Sequence, residues 1–320
     1  MRQVAVKLLE GIRKSLRVLG GESESLQLPS RGDVPKPCKI GLALGGGFAR
    51  GLAHVGVLKA LEEAGIVPDF LAGTSVGAVI GAAYCSGVSA RELEEIASIV
   101  RFKDFARYTI SRFGLCTNDR MTGFLRRILK VRTFEELRIP LAVTATDFVT
   151  GEPIVFTSGE LIDPVRASCA YPGVFLPVEV KGKVMVDGLL GHAVPAQPLK
   201  QMGADRVAAV FFGAHWVQKS PRHVLEVIGQ CFSIAQSNMS CLWQKHADLL
   251  VEPDVSAFAF DDFQRALGIV NVGYEAALKV LPTFRAWAAE REAYEKYVRR
   301  AEPVKATVAT VPIQEPLVAR

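Results

Sequence analysis

Three consecutive glycines, Gly45, Gly46 and Gly47, lie upstream of the pentapeptide Gly73-Thr74-Ser75-Val76-Gly77, and each group stands where an apolar strand gives way to a helix. G-x-S-x-G is the sequence form of a nucleophile elbow, a sharp strand-to-helix turn that pushes a serine oxygen out of the sheet. Such a turn strains the backbone and crowds its neighbours, so it needs glycine beside the serine. The upstream glycines offer backbone N–H groups with no side chain in the way, as an oxyanion hole requires. The two groups together constrain the chain to strand–loop–helix units and point to acyl transfer through a serine ester.

The pattern along the chain agrees. Residues 38–44 (CKIGLAL) read as a short buried strand, and residues 49–64 as a helix with Leu52, Val55, Leu58 and Leu61 inward. Gly65 ends that helix. Residues 69–72 read as a second strand and 76–85 as a buried apolar helix. Residues 89–130 read as mostly helical, with Ser89 as N-cap. Further strands are expected at 141–145, 153–156, 184–186, 207–212 and 249–251, and helices at 161–170 and 196–202. This alternation predicts an α/β fold with a mainly parallel central sheet, helices on both faces and additional C-terminal helices. The expected organisation is an amphipathic helix and polar linker over 1–37, a catalytic core over 38–215, a mostly helical part of the same domain over 216–301, and a loose tail over 302–320.

No apolar run reaches transmembrane length, and basic residues interrupt any secretory core at the N-terminus. The six cysteines show neither a C-x-x-C pair nor a metal-like spacing with histidine, so a reducing cytoplasm is expected. Net charge is a modest +5, but residues 101–138 carry ten basic side chains against four acidic, a local +6. Phe102, Phe105, Tyr108, Phe113 and Phe124 are interleaved with them. That mixture suits peripheral contact with the inner face of a membrane, as does the amphipathic stretch 1–20. It also suits a solvated helical surface over core aromatics. No nucleic-acid-binding signature accompanies the basic segment.

A serine hydroxyl is weakly nucleophilic at neutral pH, so Ser75 needs a base. Among the later histidines (His192, His215, His223, His246), His215 follows the 207–212 strand and is the one placed for a sheet-edge triad. Asp187 competes with it. This residue follows an apolar strand, precedes Gly188 and is expected at the carboxyl end of the sheet, where α/β proteins bind ligands. The glycine run fails the dinucleotide fingerprint, whose last glycine would fall on Arg50, and lacks the Gly-Lys-Ser/Thr of a P-loop. Arg50, in the first helical turn, is suited to lend charge to an oxyanion or a lipid phosphate. His54, one turn later, reads as a packing residue.

Gly45-Gly46-Gly47-Phe48-Ala49-Arg50-Gly51, then Gly73 to Gly77, then Asp187-Gly188 resembles the patatin-like phospholipase family in order and spacing. The connecting stretches Leu58 to Ile66 and Ala167 to Phe175 share in the resemblance, which runs roughly from Lys39 to Gly213. It implies a Ser75–Asp187 dyad and an oxyanion hole from the Gly45–Gly47 loop aided by Arg50. Gly73, Gly77 and Gly188 support the motif. The implied reaction is cleavage of fatty acyl esters in phospholipid or lysophospholipid through an acyl-enzyme, with no metal and no cofactor. Leu189 stands where the family has Gly or Ala, and His192 where Asn is common. Two other readings stay open: a carboxylesterase with a Ser75/His215 triad, and a catalytically weakened lipid-binding or regulatory protein.

Overall fold

A computed structural model describes residues 35–109, 111–213 and 224–301. The helix expected over 1–20, the tail over 302–320 and the residue His215 lie outside them.

Ten strands are described: β1 (Ile40–Leu44), β2 (Phe70–Thr74), β3 (Arg107–Tyr108), β4 (Cys116–Thr117), β5 (Leu141–Asp147), β6 (Pro153–Phe156), β7 (Val178–Val180), β8 (Lys183–Asp187), β9 (Arg206–Val210) and β10 (Leu249–Val251). The helices are α1 (Ala53–Glu63), α2 (Val76–Cys85), α3 (Ala90–Ile99), α4 (Asp119–Ile128), α5 (Ile162–Ser168), α6 (Ala196–Gln201), α7 (Val224–Asn238), α8 (Cys241–Gln244) and α9 (Ala266–Ala301). Eight strands form one sheet in the order β10-β9-β1-β2-β5-β8-β7, with β6 also on β5. From β10 to β5 every pairing is parallel, whereas β6, β7 and β8 pair antiparallel. The fold is α/β, mostly parallel, with helices on both faces and a long C-terminal helix.

The parallel strands are mostly apolar because both faces are covered, with polar residues such as Thr74, Thr144 and Asp147 toward their carboxyl ends. Side chains alternate between those faces. Ile40, Leu42, Leu44, Leu71, Leu141, Val143 and Val210 enter the larger core beneath α1, α2 and α9. Ala43, Ala72, Ala142 and Ala209 enter the smaller one around Leu199 and Trp243. Large residues on one face and alanines on the other give a thick and a thin layer. On the thick side, α1 and α9 cross in backbone contact, because a side chain on Gly56 would strike the Val270 carbonyl and one on Gly273 the Ala53 carbonyl. That crossing seats the first turn of α1 close to the loop that follows β1.

Two stretches differ from expectation. Residues 89–130 are helical only at their ends. Ser89 does cap α3, through a reciprocal capping box with Glu92. Between α3 and α4, however, the chain makes a single turn (Phe102–Asp104) and the β3–β4 hairpin. Long-range contacts decide this: Leu115 and Cys116 both donate to the Val174 carbonyl (3.1 and 2.8 Å), and Leu176 donates back to Cys116 (3.0 Å). The second difference is β7, which pairs with β8 across Lys181 and Gly182, both at positive φ (51° and 75°). That two-residue turn carries the twist a tight hairpin needs.

Candidate active site

The sheet register brings the site together. Thr74, the last residue of β2, pairs with Thr144 of β5, and Asp187, the last residue of β8, pairs with Ala145 of the same strand. Strand β6 pairs with both Thr144 and Ala145, which occupies the opposite side of β5. Strands β2 and β8 therefore lie on one side of β5, run toward each other and meet end to end. Ser75 leaves the sheet where Asp187 takes the next position. Asp187 thus stands level with the carboxyl ends of β1 and β2, reached from the opposite direction.

Ser75 carries φ 56° and ψ −124°, in a region that L residues rarely adopt, and serves as the N-terminal boundary of α2. Its backbone N–H donates to Ser168 Oγ at 2.8 Å, a fully buried hydroxyl at the end of α5. The elbow is packed without room for side chains: Cβ atoms on Gly73 and Gly77 would collide with the Gly77 and Leu44 carbonyls, respectively. Below it runs a chain of buried hydroxyls. Thr74 Oγ1 donates to the His192 carbonyl (2.6 Å), so its 2.7 Å contact with Thr144 Oγ1 must be one in which Thr144 donates.

Asp187 is fully buried. Its Oδ1 accepts from the Leu189 N–H at 2.9 Å, while Oδ2 has no formed hydrogen bond. Burial pushes this carboxyl up to about 7, opposed by the Leu189 N–H and by the adjacent Ser75 hydroxyl, which both favour the charged form. Burial and the Asp187 charge push Cys169 and Tyr171 upward, so both neighbours stay protonated. Gly188 is required here, since a Cβ would strike Thr144. Among the described residues no histidine hydrogen-bonds to Ser75 or Asp187.

The glycine loop lies over Ser75: a Cβ on Gly46 would come within 3.6 Å of Ser75 Cβ. Gly45 donates its N–H to the Val210 carbonyl (3.3 Å) and Gly46 to the Ala193 carbonyl (3.2 Å). Of the three glycine amides, the Gly47 N–H is the one that makes no hydrogen bond among the described residues. Phe48, at φ 52°, follows, stacking on Phe260 at 4.6 Å and meeting Phe102 and Phe263 edge-on or tilted. The Arg50 guanidinium donates to the Phe258 carbonyl through two nitrogens (2.9 and 2.6 Å), fastening the loop to the segment before α9.

Leu189 lines a cavity of about 270 Å³ together with Leu190, His192, Met239, Leu242 and Trp243. Burial and nearby His246 push His192 down, keeping it neutral, while its backbone carbonyl serves Thr74. Sequence reasoning missed the parts played by Ser168, which lies within the resembling stretch 167–175, and by Thr144, which carries no motif. It also missed the hydrogen bond of His54, whose Nε2 lies 2.8 Å from the Gly45 carbonyl. Among the described residues no group of His, Cys, Asp and Glu side chains converges as a metal-ligand set.

An elbow serine beside a buried carboxyl, on a mostly parallel α/β sheet, defines the candidate site. Residues 42–200 match the patatin-like phospholipase family, and this segment of the chain belongs to it. An uncharacterised NTE family protein of Mycobacterium tuberculosis (strain H37Rv) is 36% identical over 181 residues, covering 54% of this chain and 48% of that protein. The lysophospholipase nte1 of Aspergillus fumigatus is 36% identical over 207 residues, covering 59% of this chain and 13% of that one. The chain thus spans about half the length of its mycobacterial relative. Among solved structures, VipD from Legionella pneumophila aligns with a TM-score of 0.53 at 14% identity, over 78% of this chain and 68% of its own. At that identity the likeness concerns fold.

Proposed function

We propose that the chain is a lipid acyl hydrolase that cleaves fatty acyl esters of phospholipid or lysophospholipid through a Ser75–Asp187 dyad. The observation that supports this reading is the end-to-end meeting of β2 and β8, which brings Ser75 next to the buried Asp187 carboxyl, one of whose oxygens has no hydrogen-bond partner. Asp187 takes the Ser75 proton as Oγ attacks the ester carbonyl. The oxyanion settles against the glycine loop, with the Gly47 N–H as principal donor and the Gly45 and Gly46 amides holding the loop in place. Collapse expels the alcohol, which takes the proton back from Asp187. Water then attacks the acyl-Ser75 ester with Asp187 again as base, releasing the fatty acid.

Support for a lipid substrate comes from the family and from the name of the fungal relative. Peripheral membrane contact belongs to the same reading. Tyr108 and Phe113 are 80% and 66% exposed on the β3–β4 hairpin, beside exposed Arg107 and Arg112. Product analysis by mass spectrometry on mixed phospholipid, lysophospholipid and neutral lipid tests the assignment. Fatty acid release by the wild-type chain and none by Ser75→Ala is expected; equal release by both would refute it.

A further inference from the structure

Among the buried titratable groups that the mechanism above leaves unused, one sits against the glycine loop. His54 is fully buried in the first turn of α1, which the glycine-mediated crossing with α9 holds in place. Its Nε2 lies 2.8 Å from the Gly45 carbonyl oxygen. A carbonyl only accepts, so Nε2 carries the proton and donates. The ring is neutral, because burial pushes its pKa down to about 4. Its Nδ1 is buried with no partner, a cost that an aliphatic side chain of similar size would avoid. A pure packing role therefore accounts poorly for an imidazole here; its donor N–H is what the position uses.

The Gly45 carbonyl and the Gly46 N–H belong to one planar peptide unit. Its oxygen is held by His54, and its N–H by the Ala193 carbonyl at 3.2 Å. Fixing both ends of a planar unit fixes its orientation. A flip would turn the Gly45 carbonyl toward the Ala193 carbonyl, two acceptors facing each other. The next amide along the chain is Gly47, the free donor. Phe212 braces the same arrangement: its ring lies 4.8 Å from the His54 ring, and a Cβ on Gly47 would strike it.

We infer that His54 is a positioning residue: its neutral Nε2–H clamps the Gly45–Gly46 peptide so that the Gly47 N–H is aimed at the oxyanion formed at Ser75. The inference rests on the proposed hydrolase reading for its catalytic consequence, but the clamp itself is measurable without turnover.

The test compares His54→Gln with His54→Asn. Both carry a side-chain amide N–H, and only glutamine has the reach to meet the Gly45 carbonyl. On a soluble p-nitrophenyl ester, His54→Asn should lower kcat by about tenfold or more with KM changed less than about twofold, since a displaced oxyanion donor acts in the transition state. His54→Gln should recover most of kcat. In parallel, hydrogen exchange followed by mass spectrometry should show faster exchange of the Gly45–Gly47 peptide in His54→Asn and near wild-type exchange in His54→Gln. Wild-type kcat and wild-type exchange in a folded His54→Asn chain would overturn the inference, as would equal losses in both variants. If the wild type turns over no ester beyond Ser75→Ala, the hydrolase reading fails, and the exchange arm still decides whether His54 holds the loop.

Discussion

Thr74 and Asp187 hold consecutive positions along one side of β5, opposite Thr144 and Ala145, although 112 residues separate Ser75 from Asp187 in the sequence. Two strands running toward each other bring Ser75 and the buried Asp187 carboxyl to one point without a loop between them. In the proposed mechanism the chemistry turns on the charge state of that one carboxyl.

That charge state sets a pH dependence. Asp187 acts as a base only when ionised, and burial raises it to about 7. The profile of kcat/KM, which reports the free enzyme, should rise through about pH 7 and level off above it. A profile already flat from pH 5 would contradict a buried Asp187 base.

The same shift affects stability. The folded-state value (about 7) lies above the ordinary 3.8, so the folded protein holds this proton more tightly than the unfolded chain. The carboxyl's contribution is greatest below about pH 4 and declines as pH rises to 7. Asp187→Asn cannot ionise, so its stability should gain on the parent over that window, by up to about 4 kcal/mol. Urea unfolding at pH 5 and pH 8 measures it; a stability difference that does not move in favour of Asp187→Asn between the two would go against the account.

Two glycines of the site should respond oppositely to alanine. A Cβ on Gly188 would strike Thr144 backbone and hydroxyl, so Gly188→Ala should unfold or severely destabilise the protein. At Gly46 the nearest atom is Ser75 Cβ at 3.6 Å, an ordinary contact, so Gly46→Ala should fold. Its methyl group would then stand beside the nucleophile and lower kcat by roughly tenfold or more. Thermal melts and ester kinetics separate the two effects.

Ser168 should matter through the elbow. Removing its Oγ leaves the Ser75 N–H without its acceptor at a strained φ. Ser168→Ala should cost about 1–3 kcal/mol in denaturant unfolding and reduce turnover; a change below a few tenths of a kcal/mol would show that the bond does not hold the turn.

Membrane contact has its own check. Replacing exposed Tyr108 and Phe113 with serine should weaken co-sedimentation with anionic vesicles several-fold, and added salt should weaken it further. Binding unchanged by the double substitution would remove the hairpin from the membrane face.

Much of this site was legible in the sequence because glycine marks local backbone constraints. The glycine loop, the elbow at Ser75 and the Asp187-Gly188 pair each announce a tight turn within a few residues. What stayed hidden depends on long-range pairing. Alternating hydrophobicity predicts a strand at 184–186 but carries no direction, so the antiparallel course of β8 was not readable. The hairpin at residues 107–117 forms because Val174 captures it, and nothing in the local pattern foretells that partner. His54 read as packing because an apolar helix face gives no hint of a carbonyl waiting opposite it. Ser168 and Thr144 are single hydroxyls whose partners lie 93 and 70 residues away.

The central claim is that Asp187 activates Ser75 directly. The most direct measurement is the rate of covalent labelling by a fluorophosphonate probe, read by intact mass, for wild type, Ser75→Ala and Asp187→Asn. The account predicts one adduct on Ser75 in the wild type, none in Ser75→Ala, and labelling slowed by orders of magnitude in a folded Asp187→Asn chain. Wild-type labelling rates in folded Asp187→Asn would contradict it.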